Sequence, residues 1–365
     1  MKTILKILNY AAPYKGNFIN SLENLEAKLN DRTYRIVYLF PNTAKNLYWI
    51  AQMISMKKKI YFMDTSFYSK KIRLKNIFFL LKVIRMEKID IIHTHFIDYN
   101  YSLFLTKKLF FLKLRIIGQF HCQYHPTKNI IGDIKRFVTR NTFDLLIGVG
   151  ESVAVGIKTE NIPESKVVYV RNGIDFNRLD NFQPYSIRQN KNQKVVLMFG
   201  WLFHIKGVDT AIITIRKLND CGYNIILAIS LSGGLEQIKT LIKKEIGAIP
   251  DWLMFLEARD DVATYYNAAD VFLSASREEG LNYSVIEASY CNPLVVASDI
   301  PGNPQDIPGL FTHGAGNVNQ LMENLQNVFS LSESIKENIK KKQRDYVIKH
   351  YNLDTWSSEI MKYYL

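Results

Sequence analysis

Short apolar, β-branched runs recur along the chain, separated by longer segments whose apolar residues return every three or four positions. The runs predict strands at 3–8, 35–40, 60–63, 89–95, 115–119, 145–149 and 166–170, then again at 195–200, 224–229, 253–256, 271–274 and 294–297. Segments 18–29, 209–221, 236–246, 262–268 and 318–329 carry the helical period between them. Strands that are apolar on both faces and alternate with helices form parallel sheets covered on each side. The pattern runs twice around a polar, aperiodic stretch at 178–194. It predicts a domain at 1–178, a linker at 179–194 and a second domain at 195–350, with an aromatic-rich helix at 351–365 packed on the body. Two open α/β domains facing each other leave a cleft, and ligands bind at the carboxyl ends of such strands.

Composition fits this outline. The chain has 365 residues, 47% of them hydrophobic and 22% charged, enough to fill two cores and to exclude wholesale disorder. Three dispersed cysteines, Cys122, Cys221 and Cys291, argue against a disulfide scaffold and for a reducing compartment. Met1-Lys2, an apolar run and Ala11-Ala12-Pro13 imitate a secretory leader, but Lys6 and Asn9 interrupt the run, so a buried first strand is the better reading. No run of ~20 apolar residues is present to cross a membrane, and the expected location is cytoplasmic.

Charge adds a different kind of information. Lys and Arg outnumber Asp and Glu by 47 to 34, a net +13, and the excess is confined to the first half. Residues 1–180 hold 29 cations and 14 anions, a net +15, whereas 181–365 hold 18 and 20, a net −2. A nucleic acid, an anionic membrane or a phosphorylated ligand would each answer that field. No nucleic-acid module is visible, which sets the first aside. Segments 67–85 and 102–115 mix cations with large apolar residues at helical spacing. Such helices either lie on an anionic membrane or pack on a core with a solvated basic face.

Two segments carry chemistry. Arg277-Glu278-Glu279-Gly280-Leu281-Asn282-Tyr283-Ser284-Val285-Ile286-Glu287 follows a predicted strand and opens a helix. Two carboxylates flank a helix start whose first N–H groups attract phosphate, which suits a ligand bearing both hydroxyls and phosphates, such as a sugar nucleotide. The alternative is an ordinary helix start with acidic residues favoured by the macrodipole. Phe199-Gly200-Trp201-Leu202-Phe203-His204-Ile205-Lys206-Gly207 is again strand, then loop, then helix, and Lys206 is a point charge suited to a diphosphate, or else a solvated loop lysine.

These segments resemble the family-4 retaining glycosyltransferases, also described as glycosyl transferases group 1. The spacing Glu279-x7-Glu287 is similar to that family's E-x7-E motif, and Ala268–Leu273, Arg259–Val262, Val170–Asp175 and Ser298–Asn303 resemble its neighbouring segments in the same order. The resemblance implies an α/β GT-B fold, two Rossmann-like parallel-sheet domains facing an interdomain cleft, with the last helix crossing back onto the N-terminal domain. It implies that Glu279 holds hydroxyls of the transferred sugar, Lys206 stabilises the departing diphosphate and His121 faces the donor sugar. Gly16, Gly200, Arg259, Gly280, Leu281, Asn282 and Glu287 would bind donor, Glu287 at the ribose. Trp201 stands where the family usually has a second cation, and Gln305 where a glutamate is common.

The implied activity is transfer of a sugar, with retention, from a nucleotide-sugar donor, a UDP-sugar, to a hydroxyl of a glycan or lipid-linked acceptor in bacterial surface polysaccharide assembly. No cofactor and no metal are expected, the nucleotide-sugar being a co-substrate. The expected partners are that donor, that acceptor and an anionic membrane reached through the basic N-terminal domain, with peripheral association at the inner face of the plasma membrane. A sugar-nucleotide epimerase and a non-catalytic sugar-nucleotide or membrane-binding protein are the alternatives. His93 and His95 share a strand face, and His121, Cys122 and His125 follow nearby, but no zinc-ligand spacing joins them.

Overall fold

The computed structural model describes residues 1–30, 34–64, 74–96, 100–123 and 129–364. Residues 67–73 of the first basic-aromatic segment, and His125, lie outside the described residues. The chain forms two compact units, Met1–Gly173 with Leu353–Leu365, and Ile174–Asn352.

The first unit runs β1 (Lys2–Leu8), α1 (Gly16–Asn30), β2 (Tyr34–Pro41), α2 (Tyr48–Ser55), β3 (Lys59–Met63), α3 (Leu74–Met86), β4 (Ile91–His95), α4 (Asn100–Leu109), β5 (Arg115–Phe120), α5 (Ile130–Thr142), β6 (Leu145–Gly148), α6 (Glu151–Lys158) and β7 (Val167–Tyr169). The second runs α7 (Asn177–Asp180), β8 (Lys194–Phe199), α8 (Val208–Asp220), β9 (Ile225–Leu231), α9 (Leu235–Ile246), β10 (Leu253–Glu257), α10 (Ala263–Ala268), β11 (Val271–Ser274), α11 (Tyr283–Tyr290), β12 (Leu294–Ser298), β13 (Phe311–His313), α12 (Val318–Ser330) and α13 (Glu333–His350). The last helix, α14 (Leu353–Lys362), belongs to the first unit.

Both sheets are parallel, ordered β3-β2-β1-β4-β5-β6-β7 and β10-β9-β8-β11-β12-β13. Each order reverses direction once, between β1 and β4 in the first and between β8 and β11 in the second, and the loops leaving those strands diverge there. The strand interiors explain why the runs fold this way: Val195, Val196, Leu197 and Met198 of β8 are fully buried, each contributing about 1.5–3 kcal/mol relative to exposure. Register is fixed at the strand starts by three aspartates. Asp90, Asp144 and Asp270 accept from the backbone N–H of Thr3, Ile116 and Val195 at 2.7, 2.8 and 2.8 Å.

The twelve predicted strands are all present, shifted by a residue or two at their ends. β4 begins at Ile91, two residues later than expected, and Asp90 just before it still ties to β1, its N–H donating to the Thr3 carbonyl at 2.9 Å while its carboxylate takes the Thr3 N–H. β13 has three residues, too few to show a period, and α13 buries only Gln343 and Val347, so neither is legible as a pattern. The polar break at 178–194 falls inside the second unit, where Leu179 and Ile187 are core residues.

α14 presents Leu353, Trp356 and Ile360, and the turn after it Tyr364, to the first unit's core beside Ile4, Ile19 and Leu22. Lys6, a polar interruption in the sequence, is 2% exposed in the middle of β1. Its Nζ donates to the Tyr364 hydroxyl and lies 2.9 Å from His93 Nδ1. Burial pushes the Lys6 amine well below its ordinary pKa, against the pull of Glu26. Removing one partner leaves a buried nitrogen under-satisfied. Tyr364→Phe should therefore cost about 1–3 kcal/mol in chemical denaturation; a variant as stable as the parent would show that the contact contributes nothing.

Candidate active site

Both chemistry-bearing segments of the second unit leave the sheet at its reversal, one after β8 and the other after β11. Glycine makes their close approach achievable. Gly207, at φ +66°, opens α8 so near the β11 loop that an added Cβ would lie 2.0 Å from the Ala275 carbonyl oxygen. The Arg277 N–H donates to the Ile205 carbonyl at 2.7 Å. The Arg277 guanidinium also grips both Asp209 carboxylate oxygens at 2.8 Å. A third loop, after β12, closes on the same place. A Cβ on Gly302 would fall 1.9 Å from the Glu279 carbonyl oxygen, and the Asn282 N–H donates to the Gly302 carbonyl at 3.0 Å.

This frame brings Lys206 and Glu279 together. Lys206 Nζ lies 2.6 Å from Glu279 Oε1, each side chain 12% exposed, and the Ser276 hydroxyl donates to the same oxygen at 2.7 Å. Trp201 covers the lysine, its ring centroid 4.5 Å from Nζ. The residue standing in place of a second cation thus orients the first through its π face. A small pocket opens beside the pair, lined by Ser274, Ser276, Ser284 and Asn282 over Phe199 and Phe272. A cation, a carboxylate and several hydroxyl groups at a polar mouth can separate a ligand's anionic oxygens from its hydroxyls.

Asn282 differs from its expected role. Its side-chain amide donates to Ser274 Oγ and Asn303 Oδ1, both at 2.8 Å, and its backbone N–H is taken by Gly302. It braces the site rather than offering that N–H to a ligand. Gly280 and Leu281 lie in the turn between Glu279 and α11, and Gly200 ends β8 tightly, where a Cβ would meet Ile229 and Val208 at 2.7 and 2.8 Å.

Glu287 is 6% exposed in α11 and forms an ion pair with Arg178, while the Tyr266 hydroxyl reaches it at 3.3 Å. Arg178 also donates to the Asp260 carbonyl at 3.1 Å, tying the 259–261 loop to α11. Burial opposes the charge on Arg178, but Glu287 beside it holds the guanidinium's pKa above its ordinary value. No local pattern points to Arg178, which opens the polar, aperiodic stretch at 178–194. Arg259, expected at the donor, pairs with Asp261 and lies over the Tyr265 ring at 5.2 Å. Gln305 caps its own loop by donating to Asp299.

In the first unit, Gly16 begins α1 at φ +59°, next to the sheet's reversal. His121 follows β5, stacked on Phe96 at 4.6 Å and edge-on to Phe18 at 5.4 Å, with Nε2 3.1 Å from His95 Nδ1. His93 and His95 stack at 4.3 Å, as their shared strand face requires. Burial pushes the His121 pKa down to about 3 and lowers those of His93 and His95 well below the ordinary range, so all three are neutral near pH 7. Among the described residues no three or more His, Cys, Asp or Glu side chains converge as a metal site would require.

Two outcomes follow from this geometry. A base whose folded pKa is depressed binds fewer protons than its unfolded form, so stability is full above the unfolded value and falls as pH drops toward the folded one. Unfolding free energy should decline from pH 6.5 toward about 3, and His121→Asn should flatten that decline; an unchanged acid limb in pH-dependent denaturation would refute it. Gly302→Ala should displace the Glu279 loop and weaken ligand binding with the circular dichroism spectrum intact; unaltered calorimetric affinity would show that the loop absorbs the clash.

Comparison with known proteins agrees with the geometry. Residues 21–178 match the family described as Glycosyltransferase Family 4, and residues 181–352 match Glycosyl transferases group 1. The N,N'-diacetylbacillosaminyl-diphospho-undecaprenol alpha-1,3-N-acetylgalactosaminyltransferase of Campylobacter jejuni is 26% identical over 256 residues, 63% of this chain and 64% of that protein. The O-antigen biosynthesis glycosyltransferase WclY of Escherichia coli is 24% identical over 59% of this chain and 63% of that protein. The chain thus spans slightly under two thirds of the length of these curated relatives. A glycosyltransferase structure from Rickettsia africae superposes with a TM-score of 0.80 at 18% identity, covering 100% of this chain and 97% of that one. Anabaena HepE in complex with UDP-glucose gives 0.76 at 15% identity, covering 100% and 99%. With both halves matched, two parallel-sheet α/β units and the Glu279-x7-Glu287 spacing in place, this chain belongs to the family-4 glycosyltransferases of GT-B fold.

Proposed function

We propose that the protein is a glycosyltransferase that moves a sugar, with retention and without a metal, from a UDP-sugar to a hydroxyl of a glycan or lipid-linked acceptor in bacterial surface polysaccharide assembly. The observation that carries this reading is the Lys206–Glu279 pair, 2.6 Å apart at the reversal of the second sheet. A donor offers each member a new partner: sugar hydroxyls for Glu279 and diphosphate oxygens for Lys206. Neither charge is left unpaired when they separate, which avoids the large cost of an uncompensated buried ion.

In the reaction the bond from the sugar's anomeric carbon to the diphosphate oxygen breaks and a bond to the acceptor oxygen forms. The acceptor's proton leaves with the departing phosphate. Lys206 meets the charge that grows on that phosphate, a preorganised electrostatic contribution. Arg178 fixes Glu287, which takes the ribose hydroxyls. His121, neutral, hydrogen-bonds to the sugar instead of acting as a cation.

The relatives support the donor and acceptor classes. One is named for a diphospho-undecaprenol substrate, another for O-antigen biosynthesis, and HepE was solved with UDP-glucose. Among the described residues no helix is long and apolar enough to cross a membrane. The +15 of the first half would instead draw the enzyme peripherally to an anionic, acceptor-bearing surface. Trp201 favours one second reading, a protein that binds sugar nucleotides without turnover, because it removes a customary cation.

A panel of UDP-, GDP- and ADP-sugars followed by calorimetry, with hydrolysis read in parallel, separates these. UDP-sugars should bind and turn over; binding without transfer or hydrolysis would support the second reading. Lys206→Ala should lower kcat by roughly 10²–10³. Glu279→Ala should abolish transfer while the circular dichroism spectrum persists, with a lowered thermal midpoint because Lys206 loses its carboxylate partner, and retained turnover there would sink the assignment.

A further inference from the structure

α5 is built the wrong way round for a helix that only packs on a sheet. Its small residues Gly132, Val138, Thr139 and Thr142 are buried, while Ile130, Ile131, Ile134 and Phe137 are 75, 59, 52 and 60% exposed. Ile130, Ile134 and Phe137 fall at i, i+4 and i+7, so they form one stripe on the outer face. The stripe does not end with the helix. Phe137 meets Phe104 of α4 at 5.9 Å, and Phe110, just past α4, meets Phe78 of α3 at 6.2 Å. Phe78 is itself 61% exposed and Phe111, beside Phe110, is 90% exposed. Large apolar side chains therefore cover three neighbouring helices with water on their outer side.

The surface carries charge as well. Residues 74–142 contain 12 Lys and Arg against 4 Asp and Glu, and of those cations Lys75, Lys107 and Arg136 pair with Asp64, Asp144 and Glu160 outside the stretch. Lys82, Arg85, Lys108, Lys113 and Arg140 are exposed along it, Arg85 over the Phe110 ring at 5.9 Å. A second copy of the chain would set these exposed cations against their own kind, and like charges disfavour such a pairing. A nucleic-acid backbone would satisfy the cations and leave Ile134 and Phe137 in water. An anionic bilayer satisfies both, with acyl chains for the apolar stripe and headgroups for the cations.

We propose that α5, with the adjoining faces of α3 and α4, is the membrane-docking surface of this protein, inserting the Ile130–Ile134–Phe137 stripe among the lipids of an anionic leaflet. This rests on the peripheral-membrane reading above and narrows it to one face, on which α5 was not among the segments suggested by the sequence.

The test is flotation of the full chain with phosphatidylcholine vesicles, with and without phosphatidylglycerol. The parent should float only with phosphatidylglycerol and be released by salt, since surface charge is screened within about 10 Å at ~0.1 M. Ile134→Asn with Phe137→Asn leaves the charge unchanged and should weaken vesicle binding roughly tenfold or more. Ile335→Asn with Ile348→Asn, at exposed positions of α13, should bind as the parent does. Calorimetric binding of UDP by every variant reports the fold and the donor site separately, so loss of UDP binding throughout, with flotation as expected, would remove the functional reading alone. The docking proposal falls if the parent does not float, if the α5 variant floats like the parent, or if sedimentation shows a self-associated parent that the α5 variant splits without changing flotation.

Discussion

The second unit's chemistry depends on the reversal of strand order between β8 and β11. Successive connections leave in opposite directions there, so the ends of two adjacent strands stand open. Two loops must fill that gap at backbone contact, and contact at 2.0 Å from a hypothetical Cβ permits only glycine at position 207. Gly207 sits against Ala275 and Gly302 against the Glu279 carbonyl, so both loops are fixed close to the strand ends. The loop packing places the Lys206 and Glu279 side chains 2.6 Å apart.

Much of this was legible in the sequence, and for a physical reason. Strands buried on both faces leave uninterrupted β-branched runs, so all twelve predicted strands were found, and the loops that follow them carry their glycines and charges in order. Lys206 and Glu279 were readable because chain proximity to a strand end already implies position. Arg178 was not. It reaches Glu287 across 109 positions from a segment with no period, and nothing local in Arg178-Leu179-Asp180 announces a buried ion pair. Asn282 misled in the opposite sense, since its place at a helix start suggested an open N–H that the Gly302 carbonyl takes.

Burial separates what sequence composition leaves mixed. Lys6 and Lys206 are both lysines near a strand, yet Lys6 is fully enclosed between Tyr364 and His93 while Lys206 keeps an exposed edge. The first is pushed toward neutrality and serves to seat α14 on β1. The same desolvation keeps His93, His95 and His121 neutral, a row of uncharged rings held among aromatics.

Hydrophobic patterning has the converse ambiguity, and α5 exposes it. Periodicity reveals that a helix has an apolar face and is silent about which side the protein takes. In α8 the apolar residues Ala211, Ile212, Ile215 and Leu218 are fully buried, whereas in α5 the protein takes glycine, valine and threonine and leaves isoleucine and phenylalanine outside. Small inward residues let the helix lie close to its support, which lowers its need for the large ones. A helix seated in that way leaves room for a second, outward-facing apolar surface, and the exposed cations Lys82, Arg85, Lys108, Lys113 and Arg140 restrict what that surface can meet to something both anionic and oily.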